Sequence, residues 1–315
     1  GEGLPRSTHP LAQFVDYSET PKPPEWILPA FIDSGVCIIA GGRAVGKTTV
    51  LLPLAAAVAG FHAEGYPLAP RHWRHVVYVA EDTDQACRII VGLAGHLGVS
   101  VKAIKERLHI VGAHRMAPAE LVKVGKFYRR HFTRTVEGLA GQVELPPLVV
   151  LDTIAASVAM ESENDNAEAS AAVAALKQKF AGLPVWMIGH VTKSNLSRAD
   201  VDGITMRGAG AFESDAQQVV YAINEADTRW LVRGKTRFES PWKELQIESF
   251  TAEAAARDQF GEMEIVTMRW SIAMPPSADR KEVTAQTKAA RQAEREAQRA
   301  LTAAQGRAVD RKSVV

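Results

Sequence analysis

Cysteine is nearly missing from this chain of 315 residues, which has only Cys37 and Cys87. They stand far apart and form no ligand cluster, which excludes a disulfide framework and a cysteine-built zinc site. Both have apolar neighbours, so the expectation is two small buried hydrophobes in a reducing compartment. Net charge is almost absent too: 37 basic residues stand against 36 acidic ones, giving +1. That excludes a global electrostatic pull toward nucleic acid, so any such surface must be local. No apolar run approaches the length of a membrane span and the first residues lack a secretory pattern, so the expected location is the cytoplasm, with no membrane partner. No internal repeat occurs, which removes solenoids and propellers. What the chain does have is 46% hydrophobic content and enough length to bury a full core, as one large domain with appendages or two small ones.

The rest of the sequence is organised around Val36 to Val50, VCIIAGGRAVGKTTV. An apolar run leads into a glycine-rich turn, and Lys-Thr-Thr then opens a helical pattern. Gly41, Gly46, Lys47 and Thr48 fit G-x-x-x-x-G-K-[ST]. Wrapping a chain round an anion with its N–H groups inward requires backbone angles that Cβ-bearing residues resist, hence the glycines. The expected cradle is Gly41, Gly42, Arg43, Ala44, Val45, Gly46, Lys47, Thr48 and Thr49. Lys47 is expected on the β/γ-phosphates of ATP and Thr48 on Mg²⁺, with the positive end of the following helix beside them.

Along the chain, residues 1–25 are polar and proline-bearing and read as an arm, in which Leu11 to Val15 is either a docking helix or a loose terminus. A core of residues 26–275 follows. A helix is expected over Lys47 to Ala59, kinked at Pro53. The loop from Gly60 to Arg74 brings Arg71, His72, Trp73, Arg74 and His75 together, read as a solvated connection before a nucleic-acid contact. HVVYVAED is a buried parallel strand ending in Glu81 and Asp82. Helices are expected over Thr83 to Leu97, Val101 to Arg107 and Ala117 to Val136, with LHIVG a short strand between the last two. PLVVLDTIAA is a strand ending in Asp152, the shape of a carboxylate that holds Mg²⁺ beside a phosphate loop. A helix over Asn164 to Ala181 precedes the strand PVWMIGHVTK, which ends at His190, Thr192 and Lys193. Ser194 to Met206 has no periodicity and reads as a mobile loop. A short helix from Arg207, then QVVYAI, RWLVRGK, WKELQIESF and GEMEIVTMRWSI as strands, complete the core, with Lys235 and Arg237 at a turn. Residues 276–315 are alanine-rich and charged, with Arg291, Arg295 and Arg299 four apart, and read as a solvated helix or a disordered tail. The expected fold class is α/β: a mostly parallel central sheet flanked by helices, with antiparallel strands at the C-terminal side.

AGGRAVGKTT, VVYVAED, LVVLDT, VWMIGHVTK and GKTRF, in this order, resemble the RecA-like ATPase core of the RepA/DnaB group of hexameric replicative helicases, from Trp26 to Phe250. The resemblance implies a RecA-like P-loop fold, a homo-oligomeric ring with ATP and Mg²⁺ between neighbours, and single-stranded DNA as partner. It implies Glu81 as the catalytic glutamate that orients water, Asp152 as the metal-side aspartate and His190 as the γ-phosphate sensor. Lys235 and Arg237 match a pair that reaches across the subunit interface. Two other readings stand beside this one. The same ATPase could act as a switch on DNA without unwinding it, as recombinases do. A small-molecule kinase is the third, and Glu81 argues against it because it suits water better than a sugar or nucleoside acceptor.

Overall fold

The computed structural model describes residues 25–42, 44–138, 141–160, 166–179, 182–191, 197–204, 210–225, 228–236, 239–240, 242–257 and 259–276. The arm containing Leu11 to Val15, the charged tail, Arg43, Thr192, Lys193, Arg237 and, within Ser194 to Met206, residues 194–196 and 205–206 lie outside them.

In chain order the strands and helices are β1 (Trp26–Leu28), β2 (Ile32–Asp33), β3 (Val36–Gly41), α1 (Lys47–Val58), β4 (Val76–Ala80), α2 (Thr83–Leu97), α3 (Val101–Lys105) and β5 (Leu108–Gly112). Then come α4 (Pro118–Phe132), β6 (Arg134–Gly138), β7 (Gly141–Leu145), β8 (Leu148–Asp152), α5 (Ile154–Ser157), α6 (Asn166–Lys179) and β9 (Val185–His190). The last are α7 (Gly210–Asp215), β10 (Gln218–Glu225), β11 (Thr228–Arg233), β12 (Glu244–Arg257) and β13 (Met263–Met274).

The apolar runs assemble into one nine-stranded sheet in the order β13-β12-β11-β10-β3-β9-β8-β4-β5. From β10 to β5 all neighbours are parallel, while β11, β12 and β13 are antiparallel additions. This is the expected α/β class, a mostly parallel sheet with antiparallel strands at the C-terminal side. The central strands are buried along their whole length because both faces are covered. Alternation along β3 divides the core. Cys37 and Ile39 join Leu51, Ala55, Ile89 and Leu93 under α1 and α2, while Val36, Ile38 and Ala40 join Leu121, Val173 and Leu176 under α4 and α6. β13 bends onto the α1/α2 side, where Met268 and Trp270 enter that core and Trp270 stacks on Phe250. α1 is helical on both sides of Pro53.

Three local expectations are corrected. Cys37 is buried but Cys87 is exposed on the outer face of α2, because its neighbours Ala86 and Ile89 take the core-facing positions of that helix. The third long helix stops at Phe132 instead of Val136: the Thr133 hydroxyl donates to the Arg129 carbonyl at 2.6 Å, and the chain turns into the hairpin of β6 and β7. Arg134 then lies 4.0 Å from the centre of the Trp73 ring and donates to the Trp73 carbonyl at 2.7 Å. Within Ser194 to Met206, a turn of 3-10 helix forms over Arg198–Gly203. Arg198 anchors it by pairing with Glu225 at 2.7 Å and Glu244 at 3.1 Å over the Trp230 ring.

Candidate active site

Parallel strands present their carboxyl ends along one edge, where ligands of such sheets bind. The register sets Gly41 level with His190 and Ala80 level with Asp152, so the ends of β3, β9, β8 and β4 lie side by side. The loop from Gly41 to Gly46 joins β3 to α1. Gly46 has φ +80°, a conformation that residues with a Cβ resist, and the Arg229 guanidinium and Thr49 hydroxyl lie where that Cβ would be. Ala44 also takes a positive φ, 58°.

Lys47, Thr48, Glu81, Asp152 and His190, among the expected residues, meet at this edge. Lys47 is buried, and its Nζ donates to the carbonyls of Gly41 at 3.1 Å and Gly42 at 2.8 Å. His190 Nδ1 is 3.5 Å from the same Nζ. Burial lowers the Lys47 pKa to about 8, against an upward pull from Asp152. An ammonium held at such a depth is an electrophilic group in search of an anion. Asp152 is 5% exposed, and burial raises its pKa. Hydrogen bonds from Tyr78 and Thr48 work against that rise, the Glu81 charge adds to it, and Lys47 opposes it. The Tyr78 hydroxyl donates to Asp152 Oδ2 at 2.7 Å. On the next strand end Glu81 is exposed, its N–H donating to the Asp152 carbonyl at 2.6 Å and its Oε2 accepting from the Thr153 hydroxyl at 3.1 Å. Asp82, its neighbour, instead caps α2 by accepting from the Gln85 N–H at 2.8 Å.

The Thr48 hydroxyl and Asp152 carboxylate, hydrogen-bonded to each other, form a hard oxygen pair. Such a pair fits Mg²⁺ shared with phosphate oxygens and water, since a buried carboxylate keeps its charge only beside a cation or donors. Lys235 lies elsewhere. β11 runs away from the carboxyl edge, and Lys235 Nζ donates to the Ser214 carbonyl at 2.6 Å at the opposite edge of the sheet. It does not join Lys47 within one chain. Arg237 lies outside the described residues.

Two contributors went unread in the sequence. Tyr78 carried a signal, since a tyrosine hydroxyl inside a buried strand needs a partner. Arg229 carried none: its Nη1 donates to the Val45 carbonyl at 3.3 Å from 184 positions away.

No curated protein matches the chain. Among solved structures, the crystal structure of the RadB recombinase is similar at 17% identity and a TM-score of 0.42, covering 67% of this chain and 86% of that one. A family model described as an AAA domain matches residues 4–195, more than half of the chain. The chain belongs to the AAA domain family, whose match takes in the phosphate loop and the strands that end at Ala80, Asp152 and His190.

Proposed function

We propose that the protein is an ATP-hydrolysing ring motor acting on single-stranded DNA, a replicative helicase in kind. The observation that carries this reading is the gathering of Lys47, at the start of α1, with His190, Asp152 and Glu81 at the carboxyl ends of the adjacent strands β9, β8 and β4. In this reading residues 26–275 are the motor core, with 1–25 and 276–315 as appendages. The N–H groups from Gly41 to Thr49 cradle the phosphates, and the Lys47 ammonium sits between the β- and γ-phosphates. Thr48 and Asp152 would hold Mg²⁺, which would supply positive charge for the phosphate oxygens. Glu81, exposed beside Asp152, orients a water oxygen for attack on the γ-phosphorus and accepts its proton. The bond to the β-phosphate oxygen breaks, leaving ADP and phosphate. His190, against Lys47, is placed to register whether the γ-phosphate is there.

Lys235 supports the ring. At the far edge of its own sheet, it reaches a terminal phosphate only if that phosphate is bound by a second copy, with Arg237 following it. A guanidinium supplied across such an interface is worth roughly 10³ to 10⁵ in rate. The second reading, an ATP-driven switch on DNA, shares all of this chemistry and differs only in strand separation.

Phosphate release with and without single-stranded DNA, for the parent, Glu81→Gln and Arg237→Ala, tests the proposal. DNA should stimulate the parent, and each variant should lose turnover while still binding nucleotide. Parent-like turnover in Glu81→Gln would remove its role. Strand displacement on a forked duplex separates motor from switch.

A further inference from the structure

The sheet order gives a bound nucleotide a direction. Counting outward from β3, one side carries His190, Asp152 and Glu81, the groups suited to a terminal phosphate. The nucleoside half is then left with the other side, toward β11, β12 and β13. There Arg229 opens β11 and lies behind Gly46. Its Nη1 donates to the Val45 carbonyl at 3.3 Å, and its Nη2 donates to Ser271 Oγ at 2.8 Å and to Ser249 Oγ. Ser271, fully buried, reaches the Thr49 hydroxyl at 3.5 Å, and Thr49 donates to the Gly46 carbonyl at 2.8 Å. Arg269 lies close enough to lower the pKa of Arg229, with burial the larger cause. Among the described residues, neither arginine has a carboxylate within ion-pair distance. Two guanidiniums with no ion-paired carboxylate among the described residues, beside the positive end of a twelve-residue helix, suit an anion. The exposed Ser249 hydroxyl adds a donor and acceptor that a sugar needs, while the buried Ser271 and Thr49 hydroxyls stay bonded within the fold.

We propose that Arg229, Arg269 and Ser249 form the subsite for the nucleoside half of the nucleotide, taking its α-phosphate and ribose hydroxyls, with Ser271 holding Arg229 from behind. The subsite rests on the phosphate-loop reading above and extends it to the strands C-terminal to the family match. It makes Arg229 a direct ligand contact as well as a brace for the loop. It also makes the β12 and β13 ribbon part of the binding site, so the ribbon reports occupancy.

The test compares ADP with inorganic pyrophosphate, each with Mg²⁺, by titration calorimetry. Both engage the loop, but only ADP has a nucleoside. Arg229→Ala should weaken ADP about tenfold, the worth of one charge-assisted hydrogen bond, and leave pyrophosphate within about twofold. Equal losses for both ligands would reduce Arg229 to a brace, and no loss for either would remove it; both overturn the subsite. Arg269 is exposed and holds no part of the loop, so Arg269→Ala decides the case should Arg229→Ala fail to fold. ADP weakened about threefold or more with pyrophosphate unchanged supports the subsite, and parent-like ADP binding overturns it. A parent protein that binds neither ligand would sink the phosphate-loop reading, a failure distinct from these.

Discussion

Lys47 holds its charge where water barely reaches, and the pKa of about 8 records mainly that loss of hydration. In the unfolded chain the same group keeps its proton up to about 10.5. Between the two values the unfolded state therefore binds more protons, and stability rises with pH across that window. A phosphate ligand works in the other direction by restoring the charged form. Binding should take up a proton above about pH 8, and affinity should fall as pH rises further. Calorimetry in two buffers of different ionisation enthalpy would show this uptake, and its absence would detach Lys47 from the ligand. At Asp152 a pKa raised mainly by burial means that ionisation weakens the folded state. That penalty is full above the folded pKa and gone below the unfolded one. Asp152→Asn should therefore raise Tm at neutral pH, by about 2–4 °C for a gain on the order of 1 kcal/mol, and abolish stabilisation by Mg²⁺ with nucleotide. A lower Tm, or an intact response to Mg²⁺, would count against the assignment.

Among the elements, the ribbon of β12 and β13 depends on one glycine. Gly92 of α2 faces the Trp270 ring, and a Cβ there would fall 2.5 Å from it and 3.1 Å from Met268 Cβ. Gly92→Ala should destabilise by about 1–3 kcal/mol, visible as a lower Tm, because two packed elements must part. An unchanged Tm would mean that the ribbon yields freely. This contact also marks what could be read in advance. The runs VCIIA, VVYVA, LVVLD and VWMIG declare themselves as buried strands, and glycine, lysine and threonine at fixed spacing declare the loop. That His190, Asp152 and Glu81 end at the same edge as the phosphate loop follows once those strands are parallel, whereas their order along the sheet is set by packing across the whole core. The bend of β13 onto α2 depends on the fit of Trp270 against a residue without a side chain, 178 positions earlier, and no local pattern encodes it. Arg229 was hidden for the same reason. Arg134 to Leu145 was missed because the basic periodicity of α4 continues past Phe132, while the Thr133 hydroxyl closes the helix there.

For the whole molecule, the distance between Lys235 and its own phosphate loop makes assembly a requirement of the proposed chemistry. Mass in solution should change to a discrete closed species when a non-hydrolysable ATP analogue and Mg²⁺ are added. Mixing Lys47→Ala chains with Arg237→Ala chains should then recover part of the lost turnover, since some interfaces pair an intact loop with an intact arginine. Recovery of nothing, or a monomer under all conditions, would leave Lys235 and Arg237 as turn residues. Everything rests on a triphosphate docking between Gly41 and Thr49. The most direct measurement is titration of the parent and of Lys47→Ala with that ATP analogue and Mg²⁺. Saturable binding by the parent, weakened about a hundredfold or more in the variant, is the predicted result. Equal affinity in both proteins would contradict it.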